Sequence, residues 1–216
     1  MKVFVGMETS GVMRRAFQAR GHDVISCDLL PSEDNSPAHI EGDVFEALDQ
    51  LWMFRGWRPD LAIFHPTCTY LTCSAEWAYG PGPYHQKVKP GTLVGDARKW
   101  ARFWAVAQFR RLLDLPIHQI AVENPIGVMS KIRKPTQIVQ PWWFGDDASK
   151  ATCLWLNNLP KLIPTQLVSP RVVGGKKRWA NQTDSGQNRL TPGPDRWKDR
   201  SRTYEGLAAA CADQWG

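Results

Sequence analysis

At 216 residues the chain is long enough for one sizeable core. Its 43% hydrophobic and 22% charged residues are ordinary for a globular protein, and no apolar run reaches the length that crosses a bilayer. The formal charge of +6 excludes a strongly acidic chain, and its source lies late: residues 166–202 hold nine Lys/Arg against three Asp.

Strand and helix signals alternate from the start. "KVFVG" (2–6) is a short apolar strand ending at Gly6, and the N-terminus has no signal-peptide pattern, so a cytoplasmic protein is expected. "SGVMRRAFQARG" (10–21) places Val12, Ala16 and Ala19 at helical spacing, with Ser10 as the expected cap and Gly21 as the stop. "HDVISCDLLP" (22–31) is a second strand ending at Asp28. A β-α-β unit of this kind implies a parallel sheet.

A short strand, Asp43 and a helix follow within 39–51. "PDLAIFHP" (59–66) is the next strand, followed by a Gly/Pro-rich loop over 75–95. A long amphipathic helix is predicted over 95–115, then a strand over 117–125 that ends in Glu123-Asn124-Pro125. Two later strands, with an antiparallel arrangement in view, are predicted over 136–144 and 151–159. Residues 166–202 are polar, basic and rich in Gly and Pro, and 204–216 reads as a closing helix. The whole of 1–216 is expected to form one domain.

In open α/β sheets ligands bind at the carboxyl ends of the strands. Gly6 and Glu8, Asp28, Asp43, Cys68 and Glu123 end five separate strands, so one edge should collect them all. "GMETSG" is not the G-x-G-x-x-G dinucleotide fingerprint, and a carboxylate at Glu8 would repel a phosphate. Gly6, Ser10 and Gly11 leave room for a ligand near the backbone. Glu8 suits a cationic or neutral one, and S-adenosylmethionine has that character. Asp28 is placed to accept from a ribose diol or to serve a loop. Asp43 is placed to accept from an adenine amino group or to cap the following helix.

Five scattered cysteines without a C-x-x-C disfavour a disulfide framework and a structural zinc site. Cys68 follows Pro66 and Thr67 at a strand tip, the exposed position a nucleophile needs. Cys73 is expected to face a loop or the core, and Cys27, Cys153 and Cys211 to be structural. His65 is open to two readings, a partner in the site or local packing. A carboxylate at a buried strand end is costly without partners, and desolvation is expected to raise the Glu123 pKa. Such a group can share a proton with a ring nitrogen such as cytosine N3.

"HPTCTYL" and "VENP" resemble the Pro-Cys and Glu-Asn motifs of DNA cytosine-5 methyltransferases. The ordered set "METSGVMRRAFQARGHDVISCDLLP", "HPTCTYL", "VENP", "QPWWFG", "KATCLWLNNLP" and "DRWKDRSRTYEGLAAACADQWG" is similar to short phage-encoded proteins of that superfamily over nearly the whole chain. The resemblance implies a Rossmann-like methyltransferase sheet with helices on both faces, and S-adenosylmethionine as cofactor. It implies DNA or a cytosine nucleotide as substrate, in the host cytoplasm if the protein is phage-encoded. Cys68 would add to cytosine C6, and Glu123 would hold N3 and the exocyclic amine. Asn124 would brace the Cys68 loop that Pro66 stiffens, and Gly6, Glu8, Ser10, Gly11, Asp28 and Asp43 would fall around the cofactor.

The chain departs from that pattern in three places. Thr67 stands where the family has a second proline. Lys150 is the candidate to replace the arginine that larger enzymes use on cytosine O2, and it is assigned with Thr67 to the substrate. A basic Gly/Pro-containing insert, 160–202, stands in place of a target-recognition domain and is too short for a domain of ordinary size. That leaves a very short duplex site, single-stranded DNA or a free nucleotide. A non-catalytic nucleic-acid binder on the same fold is the alternative, against which Cys68 and Glu123 both count.

Overall fold

The computed structural model describes residues 1–84, 88–191, 193 and 196–216. Five parallel strands form its centre: β1 (Lys2–Gly6), β2 (Asp23–Asp28), β3 (His39–Glu41), β4 (Leu61–Phe64) and β5 (Gln119–Pro125). Two more, β6 (Gln137–Val139) and β7 (Thr152–Asn157), complete a seven-stranded sheet in the order β3-β2-β1-β4-β5-β7-β6. β7 runs antiparallel to both β5 and β6. The order 3-2-1-4-5 is that of a Rossmann-like sheet, and its strand order reverses between β1 and β4.

Helices cover both faces, as the sequence predicts. α1 (Val12–Gln18) and α6 (Glu205–Trp215) lie on one, where Val12, Met13 and Phe17 pack with Leu207, Cys211 and Trp215 around Val3, Val5 and Ile63. α2 (Val44–Arg55), α3 (Gly95–Leu113) and α4 (Val128–Ile132) cover the other, with Leu51, Phe109, Leu112 and Met129 against Phe4, Phe64 and Val122. Side chains alternate across a strand, so neighbouring β-branched and aromatic residues feed both layers. This explains why β4, Leu61–Phe64, is buried throughout.

Several boundaries shift from expectation. The first helix is seven residues long, and its cap position belongs to Gly11 in a left-handed conformation (φ 67°) rather than to Ser10. The strand expected over 136–144 is only three residues, because Pro141 interrupts it and starts a 3-10 turn, Pro141–Trp143. Part of the loop predicted over 75–95 lies outside the described residues; the rest includes a 3-10 turn, Glu76–Tyr79. In 166–202 a small ribbon forms, β8 (Arg171–Val173) paired with β9 (Lys176–Arg178), followed by a short helix α5 (Arg196–Ser201).

The tryptophans divide between uses that composition leaves mixed. Trp57, Trp155 and Trp215 are core, whereas Trp100 and Trp104 of α3 stand more than half exposed beside Phe103. The long helix is therefore apolar on part of its outer face as well as its inner one.

Candidate active site

The carboxyl edge does collect the predicted residues. Parallel register places Phe64 beside Val122, so the residues that follow, His65 and Glu123, emerge side by side. His65 Nδ1 lies 3.2 Å from Glu123 Oε2, with side chains only 9% and 17% exposed. Asn124, itself buried, donates from Nδ2 to the carbonyl of Pro66 at 2.7 Å. The strand end that supplies Glu123 thus also grips the loop that carries Cys68.

That loop is held at further points. The Cys68 carbonyl accepts from Leu71 N and Thr72 N, both at 2.9 Å, which folds residues 68–72 into a tight turn. Val128 N donates to Leu71 O at 2.7 Å, and Thr72 bridges Gly127. A Cβ on Gly127 would sit 2.1 Å from Leu71 O, so only glycine permits the approach. From α3, Arg102 donates to Tyr70 O at 2.9 Å and pairs with Glu76 at 2.6 Å. Pro66 is buried, Cys68 half-buried and Thr67 exposed.

Electrostatics bind the cluster together. Burial pushes the Cys68 thiol up, and the Glu123 carboxylate adds to this; the charges of Lys150 and Arg200 oppose it. Burial also pushes the Glu123 carboxyl up, as the sequence suggests. The hydrogen bond with His65 and the charge of Lys150 outweigh it, however, and the Glu123 pKa is lowered. The expectation of a raised value is corrected by a partner that the sequence left undecided. Lys150 is half-buried and its ammonium faces the Tyr204 ring.

Cys73 is exposed in the loop beyond, not in the core. Cys27, Cys153 and Cys211 are buried as predicted, and burial raises all three thiols, Cys27 to about 12 and Cys153 to about 11. Among the described residues no group of three or more His, Cys, Asp or Glu could hold a metal ion.

The other half of the edge is acidic. Glu8 Oε1 accepts from Ser10 Oγ and, at 3.4 Å, from Met13 N. Its Oε2 is buried without a hydrogen-bond partner. Asp28 accepts from Leu30 N at 3.0 Å, and burial raises its pKa, with the charge of Glu8 contributing. Asp43 N-caps α2 by accepting from Phe45 N and Glu46 N, so the capping alternative is the one observed.

Gly6 and Gly11 have no room for a side chain within the fold itself. A Cβ on Gly6 would meet the Phe64 ring at 2.5 Å, and one on Gly11 would meet the Arg14, Arg15 and Asp34 side chains within 2.8 Å. The orphaned Glu8 oxygen beside half-buried Asp28 fits a ligand with a positive charge and hydroxyl donors, and repels a phosphate.

No protein-family model and no curated protein matches the chain. Among solved structures, a triple mutant of Spodoptera frugiperda DNMT2 is similar at 16% identity and a TM-score of 0.41. The match covers 82% of this chain and 57% of that one, so this chain spans little more than half of that structure's length. The fold assignment rests on the chain's own strand order and register.

Of two further residues at this edge, the sequence leaves His65 open between two readings and misses Arg200. His65 precedes the proline as a lone histidine, and only strand register reveals its carboxylate partner. Arg200 sits more than a hundred residues from Cys68, in a basic run with no distinguishing signal. Arg202, two residues on, pairs with Glu33, which ties this segment to the loop after β2.

Proposed function

We propose that the protein methylates cytosine at C5 in DNA, with S-adenosylmethionine as cofactor and Cys68 as a covalent nucleophile. The observation that carries this reading is the hydrogen bond from Asn124 to Pro66. Through it, one strand end fixes both a carboxylate and the backbone two residues before a half-buried thiol. A reaction that needs a nucleophile and a carboxylate on one planar ring has use for this pairing; a simple binder has none.

Cys68 Sγ, as thiolate, forms a bond to C6 of the ring, and electron density moves to C5. Glu123 accepts from the exocyclic amine and shares a proton with N3, which offsets the charge that develops on the ring. That proton is taken up from solvent as the base binds. Burial still raises the Cys68 thiol, but the smaller contribution of the Glu123 charge is then lost, and Lys150 and Arg200 favour the thiolate. Base binding and nucleophile activation are coupled in this way.

S-adenosylmethionine, when bound, supplies an electrophilic methyl group. Glu8 and Asp28 are the residues suited to hold it, the first at its cationic end and the second at its ribose. Loss of the C5 proton to a base such as water then lets the Cys68–C6 bond break, returning the thiolate. A duplex substrate requires that the target base leave the stack first.

The test is covalent trapping. In DNA bearing 5-fluorocytosine the C5 substituent cannot leave as a proton, so the Cys68–C6 bond persists. Intact-mass analysis with cofactor present should show protein plus oligonucleotide, and Cys68→Ser should show none. No adduct from the wild-type protein, or an adduct at Cys73, contradicts the assignment.

A further inference from the structure

The β8–β9 ribbon stands apart from the sheet and has no counterpart in the chemistry above. Gly174 and Gly175 both have positive φ, 54° and 75°, the two-residue turn that matches the natural twist of a hairpin. An added Cβ on either would lie in open space, with nothing within 4 Å. The ribbon is strongly basic: Arg171 opposes Arg178, and Lys176 and Lys177 follow the turn.

These four cations differ in use. Arg171 pairs with Asp184 at 2.5 Å and donates to Gln182 O at 2.6 Å, while Arg178 Nε donates to Asp184 O at 3.0 Å. The two arginines fasten the ribbon to the segment behind it. Lys176 and Lys177 are exposed and form no ion pair among the described residues. Across from Lys177, Val172 is 68% exposed, so the outward face has no covering layer.

The ribbon's root is joined to the candidate active site. Asn181 accepts from Ser149 N and donates to Ser149 O, both at 3.0 Å, one residue before Lys150. Ala180 N donates to Asp147 at 2.9 Å, and Trp179 stacks on Trp142. A molecule held by the ribbon is therefore held in fixed relation to the wall that carries Lys150.

We infer that the β8–β9 ribbon is a nucleic-acid clamp, with Lys176 and Lys177 on the phosphates of a duplex whose target base lies at the Cys68 edge. A two-stranded ribbon fits the major groove, which is about 12 Å wide, and lysines neutralise phosphates. The inference rests on the proposed action on DNA, and it gives the basic insert a task that needs no separate recognition domain.

The experiment is fluorescence anisotropy of a labelled duplex with the full chain, between about 50 and 200 mM salt. Lys176→Glu/Lys177→Glu is compared with Arg55→Glu/Lys161→Glu, which makes the same charge change at exposed positions outside the ribbon. The ribbon variant should lose about tenfold or more in affinity, and its salt slope should fall by about 2. The control should stay within about twofold of the wild type, and thermal melting should show all three folded. Equal losses in the two variants, or wild-type binding to single strands but not to the duplex, overturn the clamp. Because the readout is binding, it stands or falls separately from catalysis. Duplex binding lost only in the ribbon variant supports the clamp even if no methyl group is transferred. Transfer to a free cytosine nucleotide without duplex binding removes the clamp and leaves the chemistry.

Discussion

His65 Nδ1 and Glu123 Oε2 lie 3.2 Å apart across the carboxyl ends of two adjacent strands, and this contact reverses the expected titration of Glu123. Without His65, only the charge of Lys150 would oppose burial of the carboxyl. In His65→Phe the Glu123 pKa should therefore rise, and its orientation should loosen. We predict a loss of about 10²-fold in single-turnover methyl transfer. The pH profile should change shape as well, because the carboxyl now protonates at higher pH. A rate loss with an unchanged profile would assign His65 to packing alone.

Cys68 offers a test that needs no turnover. Its thiol is raised by burial and by Glu123 and lowered by Lys150. Alkylation of Cys68, followed by peptide mass analysis in a Cys73→Ser background, should therefore shift with each charge. The midpoint should fall in Glu123→Gln and rise in Lys150→Met. In Glu123→Gln, where no carboxyl proton is needed, the residual kcat/KM should climb with pH toward the alkaline range, where the thiolate forms.

Asn124 is 1% exposed and holds the Pro66 carbonyl. Asn124→Leu keeps the count and branching of the side-chain heavy atoms but leaves that carbonyl without its donor. A stability loss of about 1–3 kcal/mol is expected from the unmet acceptor. Denaturant unfolding measures it. Transfer activity should fall further than this loss explains, since the Cys68 loop is no longer fixed to the Glu123 strand.

An ion pair between a buried guanidinium and a surface carboxylate braces the loop beside the sheet edge. Arg14, only 2% exposed, pairs with Asp34 at 2.6 Å. Burial pushes the Asp34 carboxyl up, but hydrogen bonds from Arg14, Arg15 and Ser32 prevail and hold it well below the usual carboxylate range. Such a group stabilises the fold above its unfolded pKa, about 3.9. That contribution is lost as pH falls toward the folded value. Asp34→Asn leaves the buried Arg14 guanidinium without its carboxylate and should lower stability at neutral pH, although Arg14 keeps its bonds to Ser26 and Ser36. The difference from wild type should shrink in acid, and thermal melts across pH follow it.

Much of this architecture is legible in the sequence because it depends on period and punctuation. β-branched runs ending in Gly or Asp mark the strands, and their alternation with helices brings Glu8, Asp28, Cys68 and Glu123 to one edge. The partners of those groups depend on register instead. Nothing local to His65 distinguishes a histidine facing Glu123 from one that merely packs. Gly127 gives no hint that it approaches Leu71, because that contact joins two loops fixed by separate strands. Gly6 and Gly11 also depend on register: nothing local shows that an added Cβ would meet Phe64 at the first and Arg14, Arg15 and Asp34 at the second. The ribbon at 171–178 is hidden because three-residue strands carry too little periodicity to register.

Nucleoside mass spectrometry of DNA incubated with the protein and S-adenosylmethionine tests the central claim most directly. The wild-type protein should produce 5-methylcytosine, and Cys68→Ala should produce none. Methylated cytosine at equal level from Cys68→Ala, or a methyl group found on another atom or base, would contradict the account.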